Sequence, residues 1–413
     1  MKNRVVITGI GIVSPIGIGK ERYWDALKNG RNGFGRISFF DPTVYPCHID
    51  AEVRDFQPEQ FIEKKKARRM DRFTQFAMAG AKMAVEDARL DLTKLNLERC
   101  GVIVGSGIGG LPTIEAEHSV LLEKGPKRVS PFLIPMLITN IAPGEIAIEY
   151  GFTGPNYSVS SACATSNHAL GEAFRHLRYG DADLLIAGGT EGAITPLGVA
   201  GFCQARALTI SFNDNPAKSS RPFDKNRSGF VMGEGCGVVI METLEHAQAR
   251  GAKIYAEFVG YGATDDAYHI TAPNPEGHAA VRAMQLALAD GNVRPEEVDY
   301  VNAHGTSTEL NDKTETAAIK KVFGDHARKL AISSTKSMTG HLLGAAGGAE
   351  LIATLLSMEN KLIHPTINYE TPDPECDLDY VPNTARPGEI RCALSNSLGF
   401  GGHNAVVVVK KFA

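Results

Sequence analysis

Short apolar, β-branched runs alternate with longer amphipathic stretches along this chain. The apolar runs at 4–10, 101–104, 184–187, 237–241, 254–260, 298–303, 330–333, 391–396 and 405–410 predict strands. Several are apolar throughout, as in strands covered on both faces. Phe73, Phe76, Ala77, Ala84, Val85 and Ala88 recur at helical spacing and predict a helix over 73–89. Further helices are expected over 169–179, stopped by Gly180, and over 278–289 and 345–358. Strands alternating with helices place the chain in the α/β class. Each half opens on a Gly-flanked strand and later carries a strand ending in small polar residues before a helix. This outline suggests a duplicated fold, with residues 1–250 and 251–413 as halves sharing one core, the boundary lying near Arg250 and Gly251.

Composition narrows the function. Lys+Arg is 43 against Asp+Glu 47, a net charge of -4, which excludes a generally basic nucleic-acid binder. No apolar run is long enough to span a membrane. The N-terminal apolar stretch is broken by glycine, Thr8, Ser14 and Pro15, and reads as a buried strand rather than a signal peptide. The seven cysteines are odd in number and widely spaced, so neither a disulfide framework nor a zinc site is expected. A reducing, cytoplasmic location follows. Glycine, at 43 residues, is in excess and predicts tight turns and close backbone approaches.

Gly105-Ser-Gly107-Ile-Gly109-Gly110 matches the dinucleotide-binding spacing after a strand, but Pro112 follows at once and no acidic residue ends a second strand. A structural or substrate loop is expected instead. Candidate chemistry lies at Cys163, on a turn into the helix at 169–179. A helix N-terminus lowers a thiol's pKa, so Cys163 is expected to be a thiolate nucleophile. The other cysteines read as buried small hydrophobes. His304 and His341 each follow a strand and stand among small residues. Two imidazoles beside a sulfur nucleophile suit enolate or oxyanion stabilisation, or proton transfer.

Four segments carry a resemblance: Val159-Ser-Ser-Ala-Cys163-Ala-Thr165, Val301-Asn-Ala-His304-Gly-Thr-Ser-Thr308, Ser334-Thr-Lys336-Ser-Met-Thr-Gly-His341 and Asn396-Ser-Leu-Gly-Phe400-Gly-Gly402. Together they resemble the signatures of β-ketoacyl-ACP synthases, most of all the type II condensing enzymes of bacterial-type fatty-acid synthesis. The resemblance implies the thiolase-like fold, a five-layered αβαβα arrangement with internal duplication, in a homodimer. It implies decarboxylative Claisen condensation of acyl-ACP with malonyl-ACP through acyl-Cys163, with no cofactor. Cys163 and Phe400 would supply oxyanion N–H groups. His304 and His341 would stabilise the enolate, in a division of labour the sequence leaves open. Lys336 would set the electrostatics, with Glu350 as its partner.

The same resemblance implies that Thr306 and Thr308 hold the pantetheine arm. Ile108 and Phe202 would line an acyl pocket gated by Phe400. Asn302, Glu350, Ser395 and Asn396 resemble a structural cation site. An acidic acyl carrier protein would dock on Lys64, Lys65, Arg68, Arg69, Lys127, Arg128 and Arg206. His403 stands where the family often has Thr and is given no catalytic role. Thiolases and type III synthases use a single His, and the pair at 304 and 341 argues against both. A type I or polyketide ketosynthase is the nearer alternative. A chain-length-factor subunit typically lacks the nucleophile that Cys163 supplies here.

Overall fold

Five strands are laid down twice, in the same order. The computed structural model describes residues 2–412. The first set is β1 (Val5–Ser14), β2 (Cys100–Gly105), β3 (Asn156–Tyr157), β4 (Leu184–Glu191) and β5 (Gly235–Thr243). Between them run α1 (Arg72–Asp87), α2 (Ile141–Tyr150) and α3 (Thr165–Tyr179). The second set is β6 (Ala256–Asp265), β7 (Tyr300–Asn302), β8 (Ala331–Ser333), β9 (Cys392–Gly399) and β10 (His403–Lys410). Its helices are α4 (His278–Asp290), α5 (Glu309–Phe323) and α6 (Ala346–Asn360).

The strands form a continuous path, β8-β7-β9-β10-β6-β1-β5-β4-β2-β3. β1 and β6 join the sets through antiparallel pairing of Val5 with Phe258, Val6 with Glu257 and Ile7 with Ala256. Outward from that seam, each set reads first, fifth, fourth, second, third strand. The pairings are antiparallel, antiparallel, parallel and parallel on both sides. The parallel neighbours need helical crossovers, which α2, α3, α5 and α6 supply.

Strand alternation sorts side chains into three cores. In β4, Leu185 and Ala187 face a central core, whereas Leu184 and Ile186 face an outer one. In β10, Val407 and Val409 face the central core and Val406 and Val408 the opposite outer one. Leu170 and Phe174 of α3 and Leu351 and Leu355 of α6 fill the central layer. α1 and α2 cover one outside with Phe73, Phe76 and Ile146, and α4 and α5 the other with Met284, Ile319 and Phe323. This is the five-layered, duplicated thiolase-like fold.

All nine predicted strands have counterparts. The third predicted helix gains one residue and the others shift by a few. α3 starts at Thr165 rather than 169, because Thr165, Ser166 and Asn167 are buried polar residues that hide the apolar period. The last strand before Cys163, β3, is only the two residues Asn156–Tyr157. The central helices press closely on the sheet. A Cβ at Gly348 of α6 would lie 2.1 Å from the Gly237 carbonyl oxygen of β5. Gly348→Ala is therefore expected to cost about 2–3 kcal/mol as overpacking, read by urea unfolding. An unchanged midpoint would mean that the layers can separate.

Candidate active site

A strained turn presents Cys163. The 3-10 turn Ala162–Ala164 opens α3, and Ala162 holds φ at +48°, a left-handed value unusual for a residue with a Cβ. The thiol keeps a partial opening onto a cavity of about 390 Å³ lined also by His304, His341, Thr306, Thr308 and Phe400. The Phe400 N–H is directed at it. The end of β9 lies against the turn, and a Cβ at Gly399 would come within 3.2 Å of the Cys163 nitrogen.

The two imidazole rings stand edge to face, with centroids 5.4 Å apart. Their backbones are fixed from different directions. The His304 N–H donates to Glu315 Oε1 at 2.8 Å, and the His341 N–H to the Val231 carbonyl at 2.8 Å. Each ring's Nδ1 faces a group that can only donate. Lys336 Nζ lies 3.4 Å from Nδ1 of His304, and the Leu343 N–H donates to Nδ1 of His341 at 3.3 Å. Nδ1 must therefore accept in both rings, and the proton of the neutral ring sits on Nε2. Burial, and then the Lys336 charge, hold both imidazoles well below the ordinary histidine range. The site thus holds two neutral rings with Nε2–H donors.

Lys336 itself is 1% exposed. Its Nζ is ion-paired with Glu350 Oε1 and donates to the His304 carbonyl at 2.6 Å. Cys163 departs from the sequence expectation. Burial pushes its thiol up to about 11, and the Lys336 charge and the Phe400 N–H only partly oppose this. The resting group is the thiol. The turn at the helix N-terminus was legible in the sequence, but the depth of burial was not.

Ile108 and Phe202 do not line the cavity. They pack with Phe400 in an apolar cluster, where the Phe202 and Phe400 ring centroids are 6.5 Å apart. Thr306 and Thr308 share a hydrogen bond of 2.9 Å. Arg206 is exposed on the cavity rim. Lys64, Lys65, Arg68, Arg69, Lys127 and Arg128 are also exposed. Among the described residues none of these seven forms an ion pair within the chain. Asn302, Glu350, Ser395 and Asn396 lie together behind the site, each with a buried oxygen that has no hydrogen-bond partner. His403 faces Asp265, its Nδ1 3.5 Å from Oδ2.

Two buried acids were missed by sequence reading. Glu315 also accepts from the Gly305 N–H at 2.8 Å and from Asn396 Nδ2 at 2.9 Å. Glu191 accepts from the Ser106 hydroxyl (2.7 Å) and the N–H groups of Gly107 (2.9 Å), Ile108 (3.2 Å) and Gly344 (3.0 Å). The Gly105–Gly110 loop therefore does receive an acidic group, but it is the Glu191 carboxyl of its own chain.

The domain family "Beta-ketoacyl synthase, N-terminal domain" matches residues 2–247, and its C-terminal counterpart matches residues 255–370. The chain belongs to the β-ketoacyl synthase family. It is a condensing enzyme of the acyltransferase type. This ketosynthase is 54% identical over 411 residues to the 3-oxoacyl-[acyl-carrier-protein] synthase 2 of Synechocystis, covering 100% of this chain and 99% of that protein. A solved β-ketoacyl synthase from Burkholderia phymatum is 34% identical with a TM-score of 0.92, covering 100% of both chains. A type II polyketide ketosynthase solved with its acyl-carrier protein is 36% identical with a TM-score of 0.91, again covering 100% of both chains.

Iodoacetamide labelling of the Cys163 peptide in the free ketosynthase should rise through alkaline pH with a midpoint of about 11. Lys336→Met should move the midpoint further up, because the cation that favours thiolate is gone. A midpoint near neutrality in the parent enzyme would restore the resting thiolate.

Proposed function

We propose that this ketosynthase joins the acyl group of acyl-ACP, carried on Cys163, to the two-carbon unit of malonyl-ACP. The products are 3-oxoacyl-ACP, carbon dioxide and free ACP, as in fatty-acid elongation. The observation that carries this reading is the cavity that brings one thiol together with two neutral imidazoles bearing Nε2–H donors. In the first step the Cys163 sulfur attacks the acyl thioester carbon and loses its proton. The carbon–sulfur bond to the carrier breaks, and the departing thiol takes up a proton. The Phe400 and Cys163 N–H groups face the transient oxyanion.

In the second step the carboxyl–methylene bond of malonyl-ACP breaks. Carbon dioxide leaves, and the electron pair passes to the thioester enolate. The two Nε2–H donors hold the enolate oxygen, and as neutral groups they need not lose charge or solvent to do so. The enolate carbon then attacks the acyl carbon. The Cys163 sulfur is expelled and regains a proton from water. Lys336, held by Glu350, fixes the position and tautomer of His304.

Phe400 stands between the cavity and the cluster of Ile108 and Phe202, so a long acyl chain would enter by displacing that ring. Thr306 and Thr308 line the approach and suit the amides of a pantetheine arm. Asn302, Glu350, Ser395 and Asn396 offer an all-oxygen donor set, the kind that hard cations take. The unpaired basic residues Lys64, Lys65, Arg68, Arg69, Lys127, Arg128 and Arg206 suit an acidic carrier protein. The edge strand β3 and the exposed Ile134, Ile138 and Ile148 suit a second copy of the chain, giving a homodimer. The repeated strand order supports a division into halves at residues 1–250 and 251–413. Seven free cysteines support a reducing, cytoplasmic setting. Among the described residues no helix is long and apolar enough to cross a membrane.

With acyl-ACP and malonyl-ACP, the parent enzyme should release carbon dioxide and form the 3-oxo product. Cys163→Ala should form none, and product at the parental rate would remove Cys163 from the mechanism. Reversal of Lys65, Arg68 and Arg69 to Glu should raise KM for acyl-ACP by about tenfold or more and leave acyl-pantetheine nearly unchanged. Equal effects on both substrates would place docking elsewhere.

A further inference from the structure

The turn that carries Cys163 has a twin in the second half of the chain. The 3-10 turn Ala162–Ala164 leads into α3, and the 3-10 turn Leu343–Ala345 leads into α6. Both helices have 15 residues. Both turns begin on a non-glycine residue with left-handed φ, +48° at Ala162 and +50° at Leu343. Both close with the same bond, Ala164 N–H to the Ser161 carbonyl and Ala345 N–H to the Leu342 carbonyl, each 3.0 Å. The twin turn meets the first turn of α3, where the Ser166 hydroxyl donates to the Gly344 carbonyl at 2.5 Å. By this correspondence Gly344 occupies the place of Cys163.

At Cys163 the turn offers its N–H to the reaction. At Gly344 the same N–H is already taken by the Glu191 carboxylate. Glu191 is fully buried, and its carboxyl accepts from three backbone N–H groups and one hydroxyl. The Ser106 hydroxyl also accepts from the Gly109 N–H at 3.0 Å, which turns its own hydrogen toward Glu191. Burial pushes this carboxyl upward, but three obligatory N–H donors and the turned Ser106 hydroxyl oppose it and favour the ionised form, since a protonated carboxyl would set hydrogen against hydrogen.

Consecutive N–H groups of the twin turn thus point in two directions. Leu343 donates to Nδ1 of His341, and Gly344 donates to Glu191. We propose that Glu191 is a positioning residue for the condensation: its carboxylate, seated in the twin of the oxyanion-binding turn, anchors Gly344 so that the Leu343 N–H holds His341 with its proton on Nε2. This rests on the function proposed above, and it adds a residue that touches neither substrate nor reacting atoms. If Leu343 drifts, Nδ1 of His341 is free to take the ring proton, and the donor facing the enolate becomes an acceptor. Acylation of Cys163 does not require that donor.

The experiment compares Glu191→Ala and Glu191→Gln with the parent enzyme in two half-reactions: transfer of an acyl group to Cys163, and release of carbon dioxide from malonyl-ACP. Removing a positioning group of this kind should slow carbon dioxide release by about 10–100-fold. Acylation should change by less than about threefold. Glu191→Ala leaves a carboxylate-sized space lined by donors, so added formate should restore carbon dioxide release, while chloride at equal ionic strength should not. Glu191→Gln fills that space and should show the selective loss without rescue. If Glu191→Ala does not fold by circular dichroism, the ratio of the two half-reactions in Glu191→Gln decides. Equal losses in both half-reactions, or no loss in either, would overturn the proposal. Failure of the parent enzyme to release carbon dioxide would instead overturn the functional reading.

Discussion

The Lys336–Glu350 pair is the interaction on which the site depends. It places a single ammonium among His304, His341 and Cys163, and that ammonium touches the site in three ways. It holds the His304 backbone carbonyl, it fixes the His304 tautomer through Nδ1, and its charge pulls the Cys163 thiol downward while pushing both imidazoles toward neutrality. A buried ion pair is costly to desolvate and often contributes little net stability, but losing one partner leaves an uncompensated charge and costs about 3–5 kcal/mol. The pair is therefore better understood as fixing geometry and protonation than as strengthening the fold.

The pair can sit where it does because the layers around it are set by close approach of backbone. Glycines at 237 and 348 bring α6 onto β5, and the strand ends that carry His304 and Phe400 arrive beside the Cys163 turn from the other set of strands. The active site is thus assembled across the pseudo-symmetric centre. Cys163 comes from the first half, and both imidazoles and the ammonium come from the second.

Much of this was legible in the sequence, for physical reasons. Strands buried on both faces write continuous apolar runs, whether their neighbours are parallel or antiparallel, and all nine predicted runs became strands. Cys163, His304 and His341 stand among small residues at ends of elements, which is a local pattern. Glu191 and Glu315 left no such pattern, because most of their partners are backbone N–H groups, identical for nearly every residue type. The resting thiol of Cys163 was hidden for a related reason: the helix start is local, whereas burial comes from chain segments hundreds of residues away. α2 and α5 escaped notice because α2 is apolar on most sides and α5 opens on charged residues.

The neutrality of the two imidazoles has a further consequence for the malonyl group. Lys336 is already paired with Glu350, so a malonyl carboxylate entering beside the imidazoles gives up water and meets only a shared counter-charge. Bound there, the anion is poorly compensated, and departure as uncharged carbon dioxide relieves the imbalance. The site would favour leaving over staying: it is built to be inhospitable to the group that has to go.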